Sequence, residues 1–270
     1  MATTTHYAWK DVPYTAQRHA KQTLDIAVPS KRLVGDKLPT CVFVHGGSWQ
    51  RGDKAGILYN GIEDAIVPTG CAGVSVNYRL SPEVMHPEHT RDIASAVQWL
   101  HTNIETFGGD PSNLVLVGHS AGAHLVMQVL ADPQYLAQVG VDPAIVKCVV
   151  GISGVYNVVN PVFGERVDQW REGSITTVLT RQGEKSPLYR TPTLLLNAED
   201  DAHLAEDAQE LKTWLEEGGN TRVEIDLILN RNHFSIIREL ATNPEDETML
   251  RIRQFLKDVQ VGRDRGTEQP

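Results

Sequence analysis

The sequence has few cysteines, no long apolar run and no basic leader, and each shortage excludes a class of protein. Its three cysteines, Cys41, Cys71 and Cys148, lie scattered in or beside apolar segments. An odd, scattered set indicates free buried thiols in a reducing compartment and not a disulfide framework. No apolar run approaches the roughly 20 residues that a membrane helix needs, and residues 1–6 show no signal-peptide pattern. We therefore expect a soluble, cytoplasmic protein.

The sequence also lacks an excess of positive charge. Its 270 residues carry a formal net charge of -9, and such a surface repels phosphate backbones and anionic lipids. We therefore expect a small-molecule substrate and neither nucleic acid nor a membrane as partner. The length allows one large domain with a substantial core, and the chain has no internal repeat and no linker. We predict a single domain over residues 1–261 and a disordered, charged tail over residues 262–270.

Predicted strands and helices alternate along most of the chain, including a helix expected from about Lys54 to Ala65 and a last helix over about 245–259. Such alternation is typical of the α/β class, with a mostly parallel central sheet and helices on both faces. Residues 155–189 lack clear periodicity, and we interpret them as a candidate small lid.

The segment from Leu114 to Ala131 organises the rest of the chain. Four apolar residues predict a buried strand, residues 118–122 read G-H-S-A-G, and an apolar helix follows. Strand, G-x-S-x-G and helix in this order are typical of a nucleophile elbow, whose sharp turn raises one serine hydroxyl above the sheet edge. The pattern therefore predicts Ser120 as a nucleophile.

A serine becomes a good nucleophile only when a base takes its proton and a third group orients that base. In a fold of this kind the chain order is serine, acid, histidine. His233 follows the last predicted strand, so we predict it as the base. The acid is Asp200 or Asp201, just after the preceding strand. His203 is a weaker candidate for the base, because it lies only two residues beyond Asp201.

Attack on a carbonyl also requires backbone donors for the oxyanion, each contributing roughly 2.7–4 kcal/mol. We predict one donor at Ala121, directly after the nucleophile. After the strand at 41–44 the chain reads H-G-G-S-W, a glycine-rich sequence of the oxyanion-loop type. We assign the other donors to Gly47 and Ser48, and we expect His45 to brace the loop.

Histidine is also a common metal ligand, so the histidines near these motifs suggest a rival hypothesis. The four candidates are His45, His86, His89 and His124. Their spacings fit no usual zinc pattern. We therefore predict no metal site and no cofactor.

Five motifs share one known context. They are H-G-G-S-W-Q at 45–50 with Gly52 and Lys54, N-Y-R-L-S-P at 77–82, G-G-D-P at 108–111, G-H-S-A-G-A-H at 118–124 and N-H-F-S at 232–235. Together they resemble the α/β-hydrolase superfamily, and within it the kynurenine formamidase (arylformamidase) branch and its carboxylesterase neighbours. The resemblance spans about residues 40–240. It implies a cytosolic, cofactor-free serine hydrolase that is often a homodimer.

The resemblance also bears on the acid and on the substrate. Related sequences often read strand-Gly-x-x-Asp, and Ala198 stands at that glycine position, which favours Asp201 over Asp200. Members of the branch release formate from N-formylkynurenine in tryptophan breakdown. We keep three hypotheses: an arylformamidase, a carboxylesterase acting on short or prenylated esters, and a ligand receptor on a hydrolase fold that no longer turns over.

An arylformamidase would need a slot for its flat aromatic leaving group, because the formyl group itself is the smallest acyl group. Aromatic side chains can stack on a planar anilide. The aromatic residues that we predict to line such a slot are Trp49, Tyr156, Phe163 and Trp170.

Overall fold

A β-sheet forms the centre of the protein. The computed structural model describes residues 6–31, 37–158, 170–201, 203–243 and 245–264. In the described part of the chain, the sheet has eight strands: β1 (His6–Pro13), β2 (Thr23–Pro29), β3 (Leu38–Val44), β4 (Ala72–Val76), β5 (Gly109–His119), β6 (Val146–Ile152), β7 (Thr193–Asp200) and β8 (Val223–Asn232). From one edge to the other they lie in the order β1-β2-β4-β3-β5-β6-β7-β8.

The strands from β3 onward pair in parallel, whereas β1 and β2 join the sheet as antiparallel strands. Parallel strands place all their carboxyl ends at one edge of the sheet. In open α/β sheets that edge is where ligands bind. The loops that follow β3, β5, β7 and β8 therefore meet there, although they are far apart in the sequence.

Helices cover both faces of the sheet. They are α1 (Ile62–Ile66), α2 (Glu88–Asn103), α3 (Ala121–Ala131), α4 (Gln134–Gln138), α5 (Ile175–Gln182), α6 (Leu204–Glu217), α7 (Ser235–Arg238) and α8 (Glu247–Asp264). Apolar residues of α2 to α6 form one core with the sheet, and those of α1, α7 and α8 form the other. This arrangement confirms the predicted α/β class with helices on both faces.

The central strand β5 shows why the sequence folds this way. Its four apolar residues have no polar alternation, as expected for a strand that is covered on both sides. Leu114 and Leu116 point into one core, and Val115 and Val117 point into the other. Successive side chains of a strand alternate between its faces, so the apolar run supplies both layers at once.

The predicted buried thiols are confirmed, because Cys41, Cys71 and Cys148 are all buried and none of them forms a disulfide. Burial raises the pKa of the Cys41 and Cys71 thiols, which makes them poor nucleophiles. Across the ranges that the structure describes, no helix combines the length and apolar character needed to cross a membrane.

Several predicted boundaries differ from the structure. The helix expected over 54–65 is mostly turns, and only α1 is helical there. The last helix continues to Asp264, into the segment predicted to be a disordered tail; residues 265–270 lie outside the described residues. Of the candidate lid, residues 159–169 also lie outside them. The described remainder contains α5, whose residues Ile175 and Leu179 are buried in the core.

Candidate active site

Ser120 lies in a sharp turn between β5 and α3. Its backbone has φ 54° and ψ -120°, a strained combination for a residue other than glycine and the one expected of a nucleophile elbow. The two flanking glycines are required by close packing. A Cβ on Gly118 would lie 2.4 Å from the carbonyl oxygen of Gly122, and a Cβ on Gly122 would lie 2.2 Å from that of Val44. The turn therefore depends on both glycines.

The side chains of Ser120, His233 and Asp201 form one hydrogen-bonded line. His233 Nε2 lies 3.0 Å from Ser120 Oγ, and His233 Nδ1 lies 2.7 Å from Asp201 Oδ1. An ionised carboxylate only accepts hydrogen bonds, so the imidazole donates from Nδ1 and its Nε2 can accept from the serine hydroxyl. The geometry thus gives the tautomer that a general base needs.

The ionised state of Asp201 is supported by its surroundings. Burial opposes its ionisation, but hydrogen bonds from His233 and from the backbone N–H of Ala198 outweigh that effect and lower the pKa of Asp201. The neighbouring Asp200 is exposed to solvent. His203 is likewise exposed and contacts Glu206 at 3.1 Å. The geometry therefore favours Asp201 over Asp200, and His233 over His203.

The loop after β3 carries the other predicted donors. Gly47 has φ 123° and Ser48 has φ 53°, and the loop is held closed because the N–H groups of Gln50 and Arg51 both donate to the Gly47 carbonyl, at 3.1 and 3.0 Å. No described residue accepts from the backbone N–H of Gly47 or Ser48. Ala121 begins α3, so its N–H has no partner within the helix. The three predicted oxyanion donors are therefore available to a ligand.

A cleft of about 390 Å³ opens beside these groups. Its lining residues are Gly46, Gly47, Ser48, Arg51, Gly52, Leu58, Tyr59, His119, Ser120, His233 and Phe234. Ser120, His233 and the oxyanion loop thus line one cleft, whose volume is in the range of small-molecule sites.

The loop is braced from below by His45, as the sequence suggested. The ring of His45 stacks on Tyr78 with centroids 4.6 Å apart, and Tyr78 Oη donates to the His45 carbonyl at 3.1 Å. His45 Nδ1 lies 2.8 Å from the carbonyl oxygen of Gly46, to which it donates. Burial lowers the pKa of His45 to about 4, so the ring is neutral near pH 7 and serves packing.

One connection was not found in the sequence. His119 Nε2 lies 2.9 Å from the His233 carbonyl, which can only accept, so Nε2 carries the proton. His119 Nδ1 then accepts from Tyr59 Oη at 2.9 Å, and Tyr59 Oη accepts from the N–H of Gly46 at 3.1 Å. This relay links the oxyanion loop to the loop of His233. The signal for it was the histidine at the second position of the G-H-S-A-G motif.

Burial fixes the protonation state within the relay. It lowers the pKa of His119 to about 3, with a smaller contribution from the nearby His233 ring. His119 therefore stays neutral at any pH where the protein is expected to work. Its two nitrogens keep one donor and one acceptor, and the direction of the relay does not change.

The predicted aromatic slot is not where the sequence placed it. Trp49, Tyr156 and Trp170 are at most 2% exposed, and none of them lines the cleft. Trp49 and Trp170 stack on each other at 4.2 Å instead, because large rings stabilise most when they are fully buried. Phe163 lies outside the described residues. The apolar residues at the cleft are Leu58 and the exposed Phe234.

Three of the histidines considered as metal ligands surround Trp170. The ring centroids of His86, His89 and His124 lie 4.9, 4.7 and 5.4 Å from that of Trp170. Burial lowers their pKa values to about 4, 4 and 3. Over the described ranges, no group of three or more histidine, cysteine or acidic residues is arranged to hold a metal ion. We call Trp170 with these three histidines the Trp170 cluster.

Comparison with known sequences places this site in context. The sequence model of the BD-FAE family matches residues 24–190, more than half of the chain. Esterase LipC of Mycobacterium tuberculosis is 36% identical over 126 residues, which cover 44% of this chain and 30% of LipC. A kynurenine formamidase of Danio rerio is 28% identical over 261 residues, which cover 92% of this chain and 81% of that protein. A second one, from Meyerozyma guilliermondii, is 34% identical over 43% of each chain.

Solved structures share the fold. Esterase B from Lactobacillus rhamnosis superimposes with a TM-score of 0.77 at 19% identity, covering 98% of this chain and 89% of that chain. Carboxyl esterase 2 from Tuber melanosporum gives a TM-score of 0.67 at 21% identity, covering 96% and 89%. Identities this low establish the architecture alone.

Proposed function

Because the chain belongs to the BD-FAE family of the α/β-hydrolase type, we propose that it is a serine hydrolase that cleaves a small acyl amide or ester. The observation that carries the proposal is the line from Ser120 Oγ through both nitrogens of His233 to Asp201, at 3.0 and 2.7 Å. It opens onto a cleft that also holds the unpaired donors of the oxyanion loop.

The first half of the proposed reaction forms an acyl-enzyme. Ser120 Oγ attacks the carbonyl carbon while His233 Nε2 takes its proton. The charge on the carbonyl oxygen is stabilised by the N–H groups of Gly47, Ser48 and Ala121, each contributing about 2.7–4 kcal/mol. His233 then returns the proton to the leaving nitrogen or oxygen, and the bond between carbonyl carbon and leaving group breaks.

The second half releases the acid. Water attacks the acyl carbon, His233 takes its proton and passes it to Ser120 Oγ as the ester bond breaks. Throughout, the Asp201 carboxylate accepts from His233 Nδ1 and stabilises the imidazolium that forms in each half. The low pKa of Asp201 keeps this carboxylate ionised when the adjacent imidazole becomes charged.

For the substrate, we propose an N-formyl anilide of the N-formylkynurenine type, which makes the protein an arylformamidase. A formamidase needs little acyl space. The backbone is crowded at the nucleophile, since a Cβ on Gly46 would lie only 2.9 Å from Ser120 Cβ. The Danio rerio relative, named a kynurenine formamidase, matches nearly the whole chain.

A carboxylesterase acting on short or prenylated esters is the second candidate. It is favoured by the esterase name of LipC, which is 36% identical to this chain over 126 residues. The catalytic triad of Ser120, His233 and Asp201 can serve both reactions. The exposed Phe234 at the cleft suits an apolar ester as well as an anilide.

Comparison of two rates separates the candidates. Specificity is a ratio of kcat/KM values, so the informative quantity is this constant for N-formylkynurenine divided by that for phenyl acetate. We expect kcat/KM for the formyl anilide to be at least about tenfold higher, which corresponds to ~1.4 kcal/mol of additional transition-state stabilisation. Cleavage of phenyl acetate without cleavage of N-formylkynurenine would instead support the carboxylesterase. If neither is cleaved, the hydrolase proposal fails and the receptor hypothesis takes its place.

A further inference from the structure

The charge of the cleft contrasts with the charge of the protein. The chain carries a net charge of -9, yet none of the described residues that line the cleft is acidic. Among these described lining residues, Arg51 is the one with a permanent positive charge. The neighbouring His119 is neutral because burial lowers its pKa to about 3. A substrate in this cleft therefore meets a positive group on a protein that is otherwise strongly negative.

Arg51 is built into the oxyanion loop. Its backbone N–H donates to the Gly47 carbonyl at 3.0 Å. Its Cγ lies 3.2 Å from the point where a Cβ on Gly47 would stand, so the stem of the side chain packs directly against the residue that offers an oxyanion donor. The Arg51 side chain therefore starts from the loop that carries two of the predicted oxyanion donors, and it lines the cleft.

The Arg51 guanidinium has no acidic partner among the described residues. The nearest acid in the sequence, Asp53, is already engaged by Lys21 Nζ at 2.7 Å and Asn77 Nδ2 at 3.0 Å. Arg79, for comparison, is paired with Asp92 at 2.6 Å. An unpaired guanidinium offers two parallel donors, a geometry that matches a carboxylate.

We propose that Arg51 is a specificity-determining residue, which selects substrates bearing a carboxylate a short distance from the scissile carbonyl. The inference rests on the proposed function, because it takes Ser120 as the point of attack. The carboxylate belongs either to the acyl part or to the leaving group, and matched esters distinguish these two cases.

The experiment compares charged and uncharged esters of equal shape. For the leaving group, the pair is 4-acetoxybenzoate and 4-acetoxybenzamide; for the acyl part, it is 4-nitrophenyl hydrogen adipate and 4-nitrophenyl hexanoate. In wild-type protein we expect the charged member of at least one pair to have the higher kcat/KM. Arg51→Gln should lower that charged-to-neutral ratio about fivefold or more, because a charge-assisted pair is lost. Arg51→Lys should restore part of it.

Arg222→Gln is the matched control. Arg222 is exposed and precedes β8, so it lies at the opposite edge of the sheet from Ser120. It removes the same charge from the whole protein and should leave both ratios unchanged. Raising the salt concentration should lower the ratio in the wild type more than in Arg51→Gln, since partly exposed charges are screened. Unchanged ratios for both pairs in Arg51→Gln would overturn the proposal.

A binding measurement separates this inference from the proposed function. By calorimetry, wild-type protein should bind 4-hydroxybenzoate or adipate more tightly than its uncharged amide, and Arg51→Gln should lose that preference. If no ester is cleaved but this preference is seen and lost, the hydrolase proposal fails and the role of Arg51 stands. If esters are cleaved and neither ratio nor binding depends on Arg51, the role of Arg51 fails alone.

Discussion

Two histidine-rich regions lie close together in this protein and use the same side chain differently. At the cleft, His233 pairs with a carboxylate at 2.7 Å and its side chain is 27% exposed. In the Trp170 cluster, His124 is fully buried and its Nε2 donates to the Gly173 carbonyl at 2.8 Å. His233 thus has a carboxylate partner and partial access to solvent, whereas burial lowers the pKa of His124 to about 3 and keeps that ring neutral. The partner and the access to solvent, and not the residue type, decide which histidine can act as a base.

The largest expected effect is at the nucleophile. Ser120→Ala should lower kcat by on the order of 10⁶, because the triad acts as a unit. Steady-state kinetics on phenyl acetate measures it, with circular dichroism to show that the fold persists. Ser186→Ala is the matched control, since Ser186 is also fully buried but does not line the cleft, and its hydroxyl donates to the Leu130 carbonyl at 3.4 Å. If Ser120→Ala kept a tenth of the wild-type activity, Ser120 would not be the nucleophile.

The next effect concerns the orienting carboxylate. Asp201→Asn should lower kcat by about 10⁴, because an amide can donate to His233 Nδ1 and then selects the wrong tautomer. Asp200→Asn is the control one residue away, and its exposed side chain should matter little. The opposite ranking of the two variants would move the acid to Asp200.

In the Trp170 cluster, the expected effect is on stability and not on catalysis. The pKa of His124 is lowered to about 3 in the folded protein, against ~6.5 when unfolded. The unfolded chain therefore binds the proton first, and stability is lost as the pH falls below about 6.5. Between pH 6 and 4 this histidine contributes roughly 1.4 kcal/mol per pH unit to the slope.

The free energy of unfolding is measured by urea unfolding at several pH values. In His124→Gln its slope against pH should be smaller by roughly 1.4 kcal/mol per pH unit, the contribution of one proton. The comparison variant is His203→Gln, whose exposed ring lies outside the cluster and should leave the slope unchanged. A slope that is the same in His124→Gln and wild type would contradict the view that this ring is kept neutral by burial.

The smallest expected effect on kcat is at the relay through Tyr59 and His119, which joins the oxyanion loop to the loop of His233. Tyr59→Phe removes the hydroxyl that joins Gly46 to His119. We expect kcat to fall about tenfold with little change in KM, because the loss of a buried hydrogen bond costs about 1–3 kcal/mol. Since Tyr59 also lines the cleft, a rise in KM with constant kcat would instead assign it to substrate binding.

The sequence predicted best where local pattern and tertiary structure agree. The strand, elbow and helix around Ser120 follow from an apolar run, two glycines and an apolar continuation. The order of the later loops places His233 and Asp201 at the same sheet edge. Hydrophobic periodicity and turn chemistry are local properties, so they can be read from one sequence.

Prediction from the sequence failed where contacts between residues far apart in the chain determine the local structure. Residues 54–65 suggested a helix, but Lys54 is buried and its Nζ lies 2.7 Å from both Asp11 and Asp25 on the neighbouring strands. These ion pairs fix Lys54 against the sheet, and the residues that follow it lie mostly in turns until α1 begins. In the same way, no local sequence pattern predicted that Trp49 would be buried and stack on Trp170. Tertiary contacts override local preference in both places.

The most direct test of the proposed mechanism is covalent labelling by a fluorophosphonate, followed by mass spectrometry of the peptides. The reagent reacts with a serine only when a base activates it beside an oxyanion site. We expect one label, on Ser120, and its loss in His233→Ala while the protein remains folded. A label on Ser153 or Ser235, or undiminished labelling of Ser120 in His233→Ala, would contradict the assignment of Ser120 and His233 as nucleophile and base.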